Sequence, residues 1–527
     1  METLGRLLAG QAAENKSKPY LYFLDTEISY EDINAYANRM ANAFTKLGVA
    51  RGDHVAIMLP NCPEYLYCWF GLAKLGAVTV TINTQFKRET LKYLIEASDS
   101  KLVVIASDFL PQYEEIAPEV KGVKKVVFDI TGQAGNTESL DALFKESPIT
   151  PPRDMSLIED IEPLIIIFTS GTTGLPKLVK NSHRAYITAA QDLVSYAELS
   201  AEERIYSALP LYHVNPQVYC VLSALVASAS VIVAPRFSAS RFWDDVRKYQ
   251  ATAFSYVGAV LPILLAQPER PGDKDVPARK CFGGGAPKEV YEKVSQRFGV
   301  EVIELYGMSE TGTWNTMNRP GKGRAGTVGQ VREGFEVRIF DDRDNELPPG
   351  KIGEIVIRPT KPYIMFDGYY KLPEETVKCS TNWWFHTGDL GKVDADGYYY
   401  FCGRKKESIR RGGENIPPYE IEKEINKHPA VAESAAFGIT DAVMEEEIKA
   451  AIVLRPGQKV TPGEIIAWCE SRLPKFMIPR YIEFMGKLPK SASEKVQKVA
   501  LKERGVTPNT WDRQKQSRLL DRKEKMG

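Results

Sequence analysis

The sequence predicts an α/β protein: a large N-terminal domain of layered α/β sheets plus a β subdomain, then a small α+β C-terminal domain. Three observations carry this. Short apolar runs alternate with helix-length amphipathic stretches from about residue 50 to residue 305, the pattern of parallel strands joined by helices. A polar, glycine-rich segment at 319–324 then gives way to β-rich text with hairpin turns, and after Gly403-Arg404 the text changes again to a compact α/β unit.

Taken in order, 55–59 is the first strand-like run, and Pro63 opens a helix on which Tyr65, Leu66, Trp69, Leu72, Ala73 and Leu75 recur at helical spacing. Runs 78–82, 102–106 and 126–128 are further strands, with a charged, helix-like stretch at 89–98. The alternation resumes after Pro151-Pro152 at 164–168, 205–209, 231–234, 254–257 and 302–305. The most apolar run, 218–234, contains three serines and stops at Pro235. It reads as a buried helix leading into a strand, because a membrane span needs about 20 apolar residues. Runs 335–340, 353–357 and 397–401, with the turn Asp396-Gly397, read as antiparallel strands. Helices are expected at 420–425 and 463–473, and strands at 435–438 and 450–454. The domain boundary falls near 404–406, giving domains 1–403 and 404–527.

Composition narrows the class. The chain has 527 residues, 68 basic against 68 acidic, 43% hydrophobic and 26% charged, which excludes wholesale disorder. A net charge of zero gives no general attraction to nucleic acid or anionic lipid. The seven cysteines are scattered without a CxxC, and the five histidines form no HExxH. A disulfide framework and a structural zinc site are therefore not expected, and a reducing compartment is. Glu2 stands where a signal peptide wants a base, so a cytoplasmic location without stable membrane insertion is expected. The tail 502–527, with eight basic and four acidic residues, reads as a solvated terminus.

The strongest local feature is Thr169-Ser170-Gly171-Thr172-Thr173-Gly174-Leu175-Pro176-Lys177, directly after the apolar run 164–168. Two glycines let backbone N–H groups converge, hydroxyls add donors, and a lysine adds charge, which together suit a polyphosphate. The Gly-Lys-Ser/Thr ending of a Walker A loop is missing. A flexible Gly/Ser/Thr loop is the alternative.

The ordered sequence of that loop resembles the signature of the adenylate-forming superfamily, which includes acyl-CoA synthetases, peptide-synthetase adenylation domains and beetle luciferases. The resemblance extends along nearly the whole chain. Gly283-Gly284-Gly285-Ala286-Pro287 is similar to its adenine-binding loop and Tyr306-Gly307-Met308-Ser309-Glu310 to its aromatic–acid motif. Thr387-Gly388-Asp389 is similar to its ribose segment. Gly403-Arg404-Lys405-Lys406, with Gly412-Gly413-Glu414-Asn415-Ile416, resembles its hinge region, and Lys495 its late catalytic lysine. Segments 61–64, 68–74 and 240–243 look most similar to the crotonobetaine/carnitine–CoA ligase branch.

The resemblance implies a ligase that joins a carboxylic acid to coenzyme A with ATP and Mg2+, through an acyl-adenylate. Lys495 would contact carboxylate and α-phosphate, Ser309 the α-phosphate, and Glu310 with Thr173 the Mg2+. The loop 169–177 would hold phosphates. Gly284, Gly285, Ala286, Pro287, Tyr306 and Gly307 would hold adenine, and Asp389 with Arg404 the ribose. The acyl pocket would draw on Tyr212, His213, Gln217, Val218, Val257, Gly258, Gly284, Gly307, Met308 and Trp314, with His213 as gate. Lys406 would be the hinge about which the C-terminal domain turns to present Arg410, Gly412, Gly413 and Glu414 to the thiol. Leu178 after the loop lysine and Glu494 before the late lysine depart from the usual glycines. The substrate class expected is a short-to-medium, cyclic or carnitine-like acid, handled by a monomer or homodimer that binds no nucleic acid. An acyl-AMP ligase loading a separate carrier protein, a ligase run in reverse and a non-catalytic nucleotide sensor are the alternatives.

Overall fold

The computed structural model describes residues 2–128, 139–169, 176–411, 414–416, 418–441, 445–473, 475–490 and 496–515. The chain divides into two compact units. The first takes Met1–Val337, Ile357–Phe385 and Gly397–Tyr399, and it contains two large sheets.

One sheet has six strands in the order Lys124–Phe128, Ser100–Ala106, His54–Met58, Val78–Thr81, Pro163–Thr169 and Lys177–Ser182. Its pairs are parallel except the last, which is antiparallel. The strand Ser100–Ala106 is buried from Leu102 to Ala106, which explains the unbroken apolar text there. The helix Pro63–Leu75 carries Pro63 in its first turn and ends at Gly76 in the left-handed conformation, φ 68°, as expected of a proline start and glycine stop.

The second sheet has nine strands, and its centre is parallel. Ala253–Val257, Lys280–Gly284 and Glu301–Tyr306 lie side by side, with Tyr256 opposite Gly283, Val257 opposite Gly284 and Gly283 opposite Glu304. The segments that follow these strands therefore leave the sheet together at its carboxyl edge, where open α/β sheets bind ligands.

The apolar run 218–234 differs from the simple helix expected of it. Residues Asn215–Leu222 wind as a π-helix, followed by the short α-helix Ser223–Val226 and the strand Ser230–Val233. A π-turn closes its hydrogen bonds over five residues rather than four, so it fits more than 3.6 residues into each turn and steps side chains round by a smaller angle; such turns concentrate at functional sites.

The second unit takes Arg338–Val356, His386–Asp396 and Tyr400–Gly527. The strands Phe335–Phe340, Gly353–Pro359, Phe385–Val393 and Tyr399–Arg404 pair in that order and supply residues to both units. Beyond them, the antiparallel pair Val431–Asp441 and Glu445–Leu454 is the centre of a six-stranded sheet. Helices Pro418–Asn426 and Pro462–Glu470 cover it through Ile421, Ile425 and Ile465. Thr461 caps the second helix in a capping box with Glu464. Among the described residues no helix is long and apolar enough to cross a membrane.

Candidate active site

The phosphate-loop motif begins and ends on paired strands. Thr169 closes one and Lys177 opens the next, directly opposite each other; Ser170, Gly171, Thr172, Thr173 and Gly174 lie outside the described residues. The Lys177 ammonium is 2.7 Å from the Glu375 carboxylate and 4.6 Å from the centroid of the Tyr369 ring. The Tyr369 hydroxyl donates to Glu310 Oε1 at 3.0 Å, and burial raises the tyrosine's pKa, so it remains the donor. Glu310 is 7% exposed and sits in the short turn Ser309–Thr311. Lys177 and Glu310 are thus joined through one aromatic side chain.

The adenine-loop motif rests on a residue that the sequence reading passed over. Glu304 accepts from the Gly285 N–H and from the Ala286 N–H at 3.1 Å, and the Tyr256 hydroxyl donates to its other oxygen. It is 4% exposed, and burial raises its pKa to about 7 even though those three donors pull it down. A second carboxyl inside the strand Glu301–Tyr306, set among the buried residues Val302, Ile303 and Leu305 and two residues before Tyr306, was the available signal. Gly285 adopts φ +96°, which L side chains rarely reach, and Pro287 precedes the helix Lys288–Phe298.

The expected acyl residues separate into two groups. His213, Val257, Gly258, Gly284, Gly307 and Met308 keep exposed or half-exposed surface, as does Tyr212 beside His213, ring centroids 4.7 Å apart. Gly258 lies against Gly285, and a Cβ on Gly307 would sit 2.3 Å from the Cα of Trp314. Gln217, Val218 and Trp314 are fully buried. Gln217 is a satisfied core amide, donating to the Leu211 carbonyl at 2.7 Å and accepting from the Tyr186 hydroxyl at 3.3 Å. From the same π-helix, Asn215 donates to the Tyr256 carbonyl at 3.0 Å and Tyr219 to the Thr313 carbonyl at 3.1 Å. The π winding brings these two, missed from sequence, beside the strand and loop that frame the glycines. Trp314 donates to the Ala189 carbonyl at 3.0 Å, and the buried Arg332 guanidinium lies 4.7 Å over its ring while pairing with Asp192 at 2.6 Å.

In the second unit, Asp389 is 2% exposed and pairs with Arg404 at 2.8 Å. Next to them Glu354 accepts from the Gly388 N–H at 3.0 Å, pairs with Lys405 at 2.8 Å and meets His386 Nδ1 at 3.3 Å. Burial alone would raise the Glu354 pKa; His386, Lys405 and the Gly388 N–H outweigh it and hold the carboxyl at about 2. Lys406 lies in the turn Lys405–Glu407. Arg410 and Glu414 belong to paired strands, Arg410 opposite Asn415 and Arg411 opposite Glu414. Gly412, Gly413, Glu494 and Lys495 lie outside the described residues.

Among the described residues no cluster of three His, Cys, Asp or Glu side chains is placed to hold a metal. ATP sites hold Mg2+ through one or two carboxylates with the phosphates completing the shell; Glu310, a buried carboxylate tied to Lys177 through Tyr369, is suited to it.

The strands, the glycine loop and this set of side chains define a nucleotide-dependent adenylating enzyme, and comparison with known proteins agrees. Residues 8–370 match the AMP-binding enzyme family and residues 420–495 the AMP-binding enzyme C-terminal domain; the chain belongs to this family, in its acyl-CoA synthetase branch. It is 34% identical over 483 residues to the crotonobetaine/carnitine–CoA ligase of Salmonella heidelberg, covering 90% of this chain and 93% of that one. The ATP-bound MatB of Rhodopseudomonas palustris superposes with a TM-score of 0.87 at 29% identity, covering 95% and 99% of the two chains. The anthranilate–CoA ligase AuaEII in complex with anthranoyl-AMP gives a TM-score of 0.87 at 26% identity, covering 95% and 97%. The activity is that of an acid–thiol ligase: carboxylate, ATP and CoA give acyl-CoA, AMP and diphosphate through an acyl-adenylate.

Proposed function

We propose that the acid is short or compact and carries no cationic group, and that the residues above divide the work as follows. Attack of a carboxylate on the α-phosphate brings two anions together, so the site must neutralise charge as the transition state forms. Lys177 and the loop from Thr169 hold the polyphosphate. Ser309 donates to the α-phosphate, and Glu304 keeps the Gly284–Pro287 backbone in place beneath adenine, with Tyr306 as the aromatic face. Asp389 accepts the ribose hydroxyls and Arg404 orients it. Mg2+, held by Glu310 and Thr173, supplies charge neutralisation on the polyphosphate when bound. His213 stands at the acyl entrance. Domains 1–403 and 404–527 act as body and lid, joined at Lys406. Lys495 serves adenylation, and the segment from Arg410 to Glu414 serves the thiol step. The enzyme works in the cytoplasm as a monomer or homodimer.

The observation that carries this reading is the convergence of Gly258, Gly285–Pro287 and Gly307–Glu310 beyond three adjacent parallel strands. The substrate class follows from what fills the space behind them. Trp314 and Tyr219 are large and buried, which leaves room for a small acyl group. The Trp314 ring already carries the Arg332 guanidinium, so that face is taken as a cation–π partner for a quaternary ammonium. This departs from the substrates named for the crotonobetaine/carnitine–CoA ligases. The test is diphosphate release from a panel of acids, with and without CoA. Short aliphatic and compact cyclic acids should respond, with CoA consumed. A trimethylammonium acid as the best substrate would overturn the class. Adenylate formation without thioester would favour a carrier-loading ligase, and no response to any acid a nucleotide sensor.

A further inference from the structure

The partner of Lys177 is fixed by backbone rather than by a long side chain swinging over. The stretch 367–370 runs along the strand Lys177–Ser182: Asp367 N–H donates to the Lys180 carbonyl at 2.9 Å, Tyr370 N–H to the Leu178 carbonyl at 2.8 Å, and Tyr369 bridges Val179. Thr376 then anchors the short helix Pro373–Lys378, accepting from the Tyr369 N–H at 2.9 Å and donating to the Leu372 carbonyl at 3.1 Å. This places the Glu375 carboxylate at 2.7 Å from the Lys177 ammonium, with the Tyr369 ring at 4.6 Å. Lys378 is the second cation on Glu375, at 2.6 Å. Both glutamate and Lys177 remain about one-third exposed. Hydrogen bonds first from Lys177 and then from Lys378 hold the glutamate's pKa at about 2, so it is an anion throughout the working range.

We propose that Glu375 is a positioning residue that competes with the polyphosphate for the Lys177 ammonium, weakening the grip on ATP and on departing diphosphate and so speeding diphosphate release. The proposal rests on reading Lys177 as a polyphosphate ligand. An ammonium can satisfy several acceptors, but each carboxylate contact it keeps lowers its attraction for a phosphate oxygen. For a pair about one-third exposed the effect is a few-fold.

The test uses the full-length enzyme. Glu375→Gln should lower the KM for ATP and the inhibition constant of diphosphate together, about two- to fivefold, with the KM for acid and for CoA unchanged. Glu375→Asp, which keeps the charge, should return both constants towards the parent values. Glu374→Gln removes an equal charge from the neighbouring position and should change neither. Lys177→Ala should raise both constants, and Glu375→Gln should add nothing in that background. Unchanged or raised constants in Glu375→Gln overturn the proposal, as does an equal drop in Glu374→Gln, which would mark a general field effect. If Lys177→Ala itself leaves both constants unmoved, the polyphosphate reading of Lys177 fails; if it raises them while Glu375→Gln is silent, only the role of Glu375 fails.

Discussion

Glu304 combines deep burial with an ionisable carboxyl, and the two conflict. Unfolded, it ionises at its ordinary 4.5; folded, burial lifts it to about 7 against the pull of Tyr256, Gly285 and Ala286. Between those values the folded chain keeps a proton that the unfolded chain has lost, so stability falls as pH rises from 4.5 to about 7. A shift of that size corresponds to about 3 kcal/mol. A glutamine offers the same acceptor to the two loop N–H groups and cannot ionise. Glu304→Gln should therefore gain stability relative to the parent as pH rises through this window, with the difference levelling above it. Thermal melts at several pH values measure this, and a difference that stays constant with pH would refute it.

Three parallel strands set the spacing of the nucleotide loops, and that spacing depends on Gly283. It faces Tyr256 across the pair, and a Cβ there would lie 2.0 Å from the Tyr256 carbonyl oxygen. Gly283→Ala must push these strands apart, at a cost of about 3 kcal/mol or more. The expected outcome is a lower denaturation midpoint together with a higher KM for ATP, because Gly284–Pro287 moves with its strand; an unchanged midpoint would contradict this packing. Tyr219→Phe tests the π-helix in the same way. It leaves the buried Thr313 carbonyl without its donor at 3.1 Å, a loss of about 1–3 kcal/mol. Elements of this kind were unevenly legible in the sequence. The strand Ser100–Ala106 announces itself because both faces are buried from Leu102 to Ala106. The π winding of Asn215–Leu222 does not, since its text fits an α-helix equally well, so the bonds of Asn215 to Tyr256 and of Tyr219 to Thr313 could not be read from spacing. Glu304, Tyr369 and Glu375 act through partners 18 to 198 residues away in the chain, and spacing along a sequence carries no such pairing.

At the scale of the molecule, the motifs fall on both compact units: Thr169, Lys177, Tyr306 and Glu310 on the first, Asp389, Arg404 and Lys406 on the second. The zero net charge of the chain conceals this distribution, because Lys177, Arg404, Lys405 and Arg411 each stand beside a carboxylate. Division between units has a kinetic consequence under the proposed mechanism. Adenylation needs a cation on the reacting carboxylate and α-phosphate, and Lys495, at the end of the matched C-terminal domain of residues 420–495, is assigned to it. Thioester formation expels AMP from an adenylate already made, and has no use for that cation in the same place. A small unit joined near Lys406 can serve both steps only by presenting different residues in each. Lys495→Ala should therefore lower adenylate formation at least about 100-fold, the scale of one lost transition-state donor, as read by diphosphate release. Thioester formation from supplied acyl-AMP should persist within a few-fold of the parent rate. Equal losses in both half-reactions would mean that one arrangement of the two units performs both steps, and the lid assignment of residues 404–527 would fall with it.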